Sequence, residues 1–348
     1  MSTDDAAADG RPVLVTGARG FAGSALVRSL RRDGQRVRAM VRPRGDEAEL
    51  RRLGAEVVHG DVRDPAAADA AVAGCGRVYN FASPFRSAGA GDEVNRQTHV
   101  DGLRHLVAAA WKHGVSRFVQ CSTVGVHGNV RQPPCHEDSP IRPGDAYQRT
   151  KLEGERLFRD AVADGLPGVL MRPGPMYGPG DLRMLKLFRL VHTGRWVTLG
   201  DGSAWFHPSY IDDLVEGFRL CGEHPDAVGG TFILAGPEPC RLHALIAEVA
   251  AAVRVAAPTR RLPVRPMMAA AWVCETACRP LGIEPPLHRR RVKFFTNNRY
   301  FSSARAERTL GYRPRVGVAE GVRRTAGWYF DRGLLRGPRP PQGASAPA

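Results

Sequence analysis

Tyr147-Gln-Arg-Thr-Lys151 sets a phenol and an amine four residues apart, and Cys121-Ser-Thr123 lies upstream at the end of an apolar run. On a helix that spacing puts Tyr147 and Lys151 on one face. A free tyrosine, with a pKa of ~10, is a poor base at neutral pH. An ammonium one turn away favours the phenolate. The phenol could then exchange a proton with a substrate hydroxyl or carbonyl, while the Thr123 hydroxyl orients the substrate oxygen. Taken alone, such a pair is a common accident of helices. It gains meaning from a second motif near the N-terminus.

That motif is Thr16-Gly17-Ala-Arg19-Gly20-Phe21-Ala-Gly23, which follows a short apolar run and opens a helical pattern. Gly17 would allow a sharp turn, Gly20 the approach of backbone to a pyrophosphate, and Gly23 close packing of helix on strand. The helix start at Phe21 would then offer its amides and dipole to the phosphates. At the end of the second strand an acidic residue would bond the ribose of NAD. This chain has Arg42 there, with Arg19 inside the loop. Two guanidinium groups near the adenosine ribose favour a 2′-phosphate, so NADP(H) is expected ahead of NAD(H), which stays open. Asp61 and Val62, after the third strand, are placed to meet the adenine. Ala82 and Ser83 end the fourth strand beside the cofactor, and Lys151 would also hold the nicotinamide ribose.

The elements that must position these groups alternate along the chain. Apolar runs at Pro12–Thr16, Arg36–Val41, Ala55–His59, Val78–Ala82, Phe118–Ser122 and Gly168–Arg172 read as buried strands. Between them fall helical patterns over Phe21–Asp33, Glu47–Leu53, His99–His113 and Tyr147–Ala163. This rhythm predicts an α/β fold, a Rossmann-type doubly wound parallel sheet. After Pro173 the rhythm breaks into short segments, predicting a smaller, discontinuous C-terminal substrate lobe. Residues 1–10 and 335–348 read as tails, and 11–180 as the dinucleotide-binding domain, with a returning segment near 205–236. Residues 181–204 and 237–334 are assigned to the lobe. The run Thr231–Ala235 is expected to rejoin the main sheet. Met267–Cys278 reads either as a core helix of the lobe or as a segment near substrate or membrane.

Composition narrows the setting. No apolar run reaches the ~18 residues of a membrane span, and the acidic start lacks the basic-then-apolar pattern of a secretory signal, so a cytoplasmic location is expected. The seven cysteines are scattered and odd in number, which suits free thiols. No His or Cys spacing suggests a metal. The net charge is +15, and Thr259–Ala348 supplies most of it, with 18 basic against 5 acidic residues. That quarter could be a solvated face, could meet an anionic substrate, or could touch an anionic membrane surface. Nucleic acid is not expected, because no recognition motif accompanies the charge.

Together the motifs resemble the extended short-chain dehydrogenase/reductases, the superfamily of NAD-dependent epimerases and dehydratases. Gly17, Gly20 and Gly23 match its glycine loop, Thr123 its catalytic Ser/Thr, and Tyr147 and Lys151 its Tyr-x-x-x-Lys. Met171-Arg-Pro173-Gly with Tyr177-Gly-Pro-Gly180 resembles the stretch beside the nicotinamide, which implicates Pro173. Tyr210-Ile-Asp-Asp213 is similar to a motif that ties the lobes together. The resemblance leaves a homodimer open. Two residues depart from the pattern: His99 stands where Asn is usual, and His127 where Tyr is usual.

Within that superfamily, nucleotide-sugar enzymes typically carry an Arg-Asp pair just ahead of the Asp-Asp motif, and the Arg grips the substrate diphosphate. Phe206 and His207 occupy those places here. Sugar dehydratases follow the catalytic Thr with Asp-Glu, whereas Thr123 is followed by Val124 and Gly125. The C-terminal stretches Pro285–Val292, Asn298–Ser302 and Leu310-Gly-Tyr-Arg-Pro314 resemble 3β-hydroxysteroid and sterol-carboxylate dehydrogenases. The expected substrate is therefore a steroid-, terpenoid- or polyketide-like alcohol or ketone, met by Thr123, Tyr177, Trp205 and Phe206. A nucleotide-sugar epimerase or dehydratase is the alternative, and an NADP-binding sensor or scaffold without turnover is a third reading.

Overall fold

Every residue of Val13–Thr16 (β1) is buried, as its position at the centre of a parallel sheet requires. The computed structural model describes residues 10–43, 45–84, 92–278, 283 and 285–337. The tails expected at 1–10 and 335–348 lie almost wholly outside them. Leu335 is described and buried, and its amide donates to Tyr329 O, so the packed chain runs just past residue 334.

The strands after β1 are β2 (Val37–Val41), β3 (Glu56–His59), β4 (Arg77–Asn80), β5 (Arg117–Cys121), β6 (Gly168–Pro173), β7 (Met176–Tyr177), β8 (Thr198–Leu199), β9 (Trp205–Phe206), β10 (Ser209–Tyr210), β11 (Thr231–Leu234), β12 (Cys240–Arg241) and β13 (Arg261–Leu262). The helices of the first half are α1 (Phe21–Arg32), α2 (Ala48–Arg52), α3 (Pro65–Val72), α4 (Asp92–Arg96), α5 (Gly102–Lys112) and α6 (Ala146–Ala163). The second half adds α7 (Leu185–His192), α8 (Ile211–Glu223), α9 (Leu242–Ala252), α10 (Val264–Cys278), α11 (Arg289–Thr296), α12 (Ala304–Leu310) and α13 (Val318–Asp331).

Seven strands form one parallel sheet in the order β11-β6-β5-β4-β1-β2-β3. The order reverses between β1 and β4. At such a switch point two successive crossovers leave on opposite faces, and a crevice opens at the carboxyl ends of the strands. The glycine loop after β1 and the ends of β4 and β5 border it. The sheet is Rossmann-like, as the alternation of runs implies. Apolar faces of α1 and α8 cover one side, and those of α3, α5 and α6 the other. β11 does return to this sheet, pairing parallel with β6 from Thr231↔Leu170 to Leu234↔Pro173.

Two helical expectations need revision. His99 does not start a helix. It lies in a π-helical turn, Gln97–Asp101, that joins α4 to α5. The apolar segment Met267–Cys278 belongs to α10 but is not a core helix. Ala271 is its one buried residue, while Trp272 is 56% and Val273 57% exposed. The small cluster beneath it holds Leu199, Ala271 and Val292. No helix among the described residues is long and apolar enough to cross a membrane.

Candidate active site

The β1–α1 turn is built around backbone contacts that exclude side chains. Gly17 has φ +64°, and a Cβ there would stand 2.7 Å from Phe81 O at the end of β4. A Cβ on Gly23 would fall 2.4 Å from Gly17 O. Gly20 is the N-cap of α1 and supplies no side-chain cap, so the helix opens with its dipole end and amides uncovered by any capping group. This cradle fits the pyrophosphate of a nicotinamide dinucleotide. Ala82 N donates to Thr16 Oγ1 (3.2 Å) and Asn80 Oδ1 (3.1 Å), which holds Ala82 and Ser83 at the same strand end.

At the adenosine side, Arg19 Nη2 donates to Arg42 O at 3.0 Å, and the Arg42 side chain is exposed. Both arginines therefore lie at the rim where the sequence puts them. Asp61 is itself paired, its carboxylate gripped by Arg63 through Nε, Nη2 and the backbone amide at 2.7–3.0 Å. Burial alone would raise its pKa, but the Arg63 bonds and charge outweigh that and hold it below the usual carboxylate value. Val62 packs against Gly102 at the start of α5.

The catalytic candidates converge at the end of β5. Asp145 caps α6 by accepting from Gln148 N (2.8 Å), so the helix starts just before Tyr147. Lys151 is buried and donates from Nζ to Cys121 O at 3.0 Å. That bond ties α6 to the strand end two residues before Thr123. Thr123 Oγ1 accepts from Gly125 N at 3.0 Å, and a Cβ on Gly125 would lie 3.2 Å from Thr123 Oγ1 and 3.4 Å from Gln148 Cγ. Gly125 thus lies between the threonine hydroxyl and the first turn of α6. Tyr147 meets His99 edge to face, with ring centroids 5.3 Å apart. A strand-end hydroxyl, a phenol and a buried ammonium stand beside a dinucleotide cradle.

Comparison with known proteins decides the family. The profile of the NAD dependent epimerase/dehydratase family matches residues 13–235, spanning both motifs. The chain belongs to that family. It is 30% identical, over 90% of its length and 97% of the relative's, to the 2-alkyl-3-oxoalkanoate reductase of Stenotrophomonas maltophilia. It is 29% identical to an Arabidopsis thaliana 3beta-hydroxysteroid-dehydrogenase/decarboxylase, over 90% of this chain and 78% of that one. Among solved structures it resembles DesIV, the dTDP-glucose 4,6-dehydratase of Streptomyces venezuelae, crystallised with NAD and TYD. That likeness has a TM-score of 0.75 at 25% identity, covering 92% of this chain and 98% of the other.

Beneath the site of this epimerase/dehydratase-family chain run two buried polar systems that the sequence did not reveal. Thr16 Oγ1, Asn80 and Gln120 form a hydrogen-bonded ladder across β1, β4 and β5 at 2.6 and 2.8 Å. Behind Ser122, Arg172 donates Nε and Nη2 to Glu155 at 2.9 and 2.6 Å, and both side chains are fully buried. Arg172 Nη1 also donates to Glu137 O (2.9 Å) and to His127 Nε2 (3.1 Å), and Ser122 Oγ donates to Glu155. His127, the second departure from the family pattern, is therefore a neutral acceptor for Arg172.

The aromatic residues expected to meet substrate behave differently. Tyr177 is 2% exposed, packed edge to face on Tyr210 and against Gly321, so it is a core residue. Phe206 is also buried, against Phe294 and the Arg299 guanidinium. Trp205 is half-buried between the Arg241 guanidinium, 3.6 Å from its ring centroid, and Tyr300. Of the three aromatic candidates, Trp205 keeps the most exposure. Asp213 accepts from Val316 N at 2.9 Å, the kind of lobe-to-lobe tie the Tyr210–Asp213 motif implies. A cleft of about 730 Å³ between α1, α8 and α13 contains none of Thr123, Tyr147 and Lys151. Its charges pair across it, as in Arg28–Glu49 and Arg219–Asp33.

His207 is 3% exposed. Its Nε2 donates to Gly236 O (2.9 Å) and its Nδ1 accepts from Phe301 N (3.2 Å). Desolvation lowers His207 from an ordinary 6.5 to about 4, and desolvation together with the nearby Arg172 charge lowers His127 to about 4. The unfolded chain therefore binds protons before the folded one does. Their contribution is intact above pH ~6.5 and is lost as pH falls toward ~4, by of order 2–3 kcal/mol per histidine. Thermal unfolding followed from pH 7.5 to 5 should show a falling midpoint, and His207→Gln should flatten the slope. Equal slopes in both proteins would contradict this account.

Proposed function

We propose that this enzyme is a nicotinamide-dependent oxidoreductase acting on a secondary alcohol or ketone of a hydrophobic substrate, steroid-, terpenoid- or polyketide-like, and that it prefers NADP(H). The cofactor, held by the Gly17–Gly23 loop and Lys151, would supply the hydride donor or acceptor. Thr123 orients the substrate oxygen, Tyr147 exchanges the proton with it, and Lys151 supports the phenolate and holds the ribose.

The observation carrying the substrate class is the state of Phe206 and His207. In nucleotide-sugar relatives that place holds a diphosphate-gripping arginine. Here His207 has both ring nitrogens bonded to main chain, and Phe206 is packed inside the lobe. Neither can turn toward a phosphate without breaking those contacts. The Arg299 guanidinium beside Phe206 donates to Phe294 O and Asn297 O. The names of two relatives, an alkyl oxoalkanoate reductase and a hydroxysteroid dehydrogenase, agree with an apolar ketone or alcohol. The likeness to DesIV keeps a nucleotide-sugar reading as the alternative, and retention of Tyr147 and Lys151 argues against a sensor without turnover.

Thermal-shift and turnover screening should separate these readings. Steroid and polyketide ketones with NADP(H) are expected to stabilise the protein and be reduced. UDP-, GDP- and dTDP-sugars should do neither, and epimerisation or dehydration of any of them would overturn the proposal.

Cofactor preference has its own test. Charge-assisted bonds from Arg42 to a 2′-phosphate are worth ~1.5–3 kcal/mol, so NADP(H) should bind roughly tenfold or more tightly than NAD(H). Calorimetry on wild type and Arg42→Ala should show that ratio collapse in the variant. Equal affinities in the wild type would refute the preference.

A further inference from the structure

We propose that His99 is a positioning residue, held as the neutral Nδ1–H tautomer, that fixes the direction of the Ser83 hydroxyl and the place of the Tyr147 ring. The proposal deepens the oxidoreductase reading and rests on it for its kinetic consequence, though not for the tautomer.

The backbone is placed first. His99 lies mid-way along the π-helical turn Gln97–Asp101, between α4 and α5. Such turns insert an extra residue into a helix and recur at functional sites, because they re-aim a side chain. Here the turn presses on α6. A Cβ on Gly154 would stand 2.4 Å from His99 O, so glycine at 154 lets the two helices close at that point. The imidazole is then 3% exposed and bridges two elements. Nδ1 meets Thr150 Oγ1 on α6 and Nε2 meets Ser83 Oγ beyond β4, both at 2.9 Å.

The donors and acceptors in this chain can be counted. Thr150 has one hydroxyl proton, and its Oγ1 donates back along the helix to Tyr147 O at 3.1 Å. With its proton on Tyr147 O, that oxygen accepts from His99, which puts a proton on Nδ1. In the neutral form proposed for this buried ring, Nε2 then accepts and Ser83 donates to it. With that proton committed, the Ser83 oxygen presents lone pairs to whatever lies beyond the β4 end, where the cofactor cradle is. The ring edge contact with Tyr147, at 81° between planes, fixes the phenol from the same side. One side chain thus sets the polarity of a strand-end hydroxyl and the seat of the catalytic ring. Asparagine could copy the donor–acceptor pair on a shorter reach, whereas leucine could fill the space with neither.

The tautomer is read directly by ¹⁵N NMR of histidine-labelled protein, with the His99 signals assigned by their absence in His99→Asn. The expected pattern is protonated Nδ1 and unprotonated Nε2, with the Nε2 signal shifted in Ser83→Ala. A protonated Nε2 would overturn the proposal, and this result needs no substrate. In steady-state assays, His99→Leu should lose about 10² in kcat, the order expected when a reacting group is displaced by ~1 Å. Its unfolding midpoint should stay near wild type. His99→Asn should recover at least a tenth of wild-type kcat. A kcat for His99→Leu within threefold of wild type, or no recovery in His99→Asn, would also overturn it. If the tautomer is found but no substrate is turned over by wild type, the oxidoreductase reading fails and the tautomer assignment stands.

Discussion

Tyr147→Phe is expected to lower kcat/KM by about 10²–10⁴, the usual contribution of a positioned proton donor or acceptor, while leaving the cofactor Kd nearly unchanged. The variant is unusually clean here. Phenylalanine keeps the ring that packs edge to face on His99, so α6 and the π-helical turn need not repack. Lys151 remains anchored on Cys121 O and Thr123 on Gly125 N. What disappears is the phenol oxygen alone. Cofactor titration and steady-state rates on one preparation separate binding from chemistry. Turnover within threefold of wild type would remove Tyr147 from the mechanism and, with it, the proton-transfer role assigned to α6.

The second large effect concerns stability. Arg172→Met is expected to destabilise the fold by about 3–5 kcal/mol, because it strands the Glu155 carboxylate inside the protein. Glu155 would keep the Ser122 hydroxyl and a 3.3 Å contact with the partly exposed Arg159, but would lose two charge-assisted bonds. His127 Nε2 and Glu137 O would lose a donor as well. Removing both charges, in Arg172→Met with Glu155→Leu, should restore part of the loss, since well-packed apolar pairs can replace buried ion pairs at little cost. Urea unfolding of the three proteins is the measurement. If the single variant loses less than about 1 kcal/mol, the buried pair is not what supports the strand end before Thr123.

The parts of this site that were legible in the sequence are those where geometry leaves few residue types. Gly17 is forced by positive φ and by the Phe81 carbonyl, and Gly23 by the Gly17 carbonyl. Tyr147 and Lys151 carry the period of a helix in their spacing. The parallel sheet was readable because strands buried on both faces appear as unbroken apolar runs. Other features left no such trace. A π-helical turn adds one residue, and hydrophobic periodicity cannot register that before His99. Thr150, between Tyr147 and Lys151, is visible in sequence, but nothing there says it will face His99. Aromatic type does not distinguish a pocket wall from a core, so nothing in the sequence told that Tyr177 and Phe206 would be buried. For α10 the sequence left two readings open, since an apolar helix can be interior or can lie at a surface, and the structure gives it an exposed face.

The last strand of the main sheet has a consequence for how the protein comes into being. β11 pairs with β6 after a separation of some sixty residues, and the Tyr312 hydroxyl then bonds Ala235 O just past it at 2.9 Å. The edge of the cofactor-binding sheet is thus finished by chain synthesised after all of α7 and α8, and is latched by chain made later still. Contacts this distant in sequence slow folding, because loop closure must precede any reward. During synthesis β6 waits as an unpaired edge, the kind of surface that invites wrong partners. A fragment ending near residue 180 would carry every cofactor glycine and all three catalytic candidates, yet it would keep that edge open. Completing the cofactor-binding sheet therefore draws on chain that lies beyond the glycine loop and all three catalytic candidates.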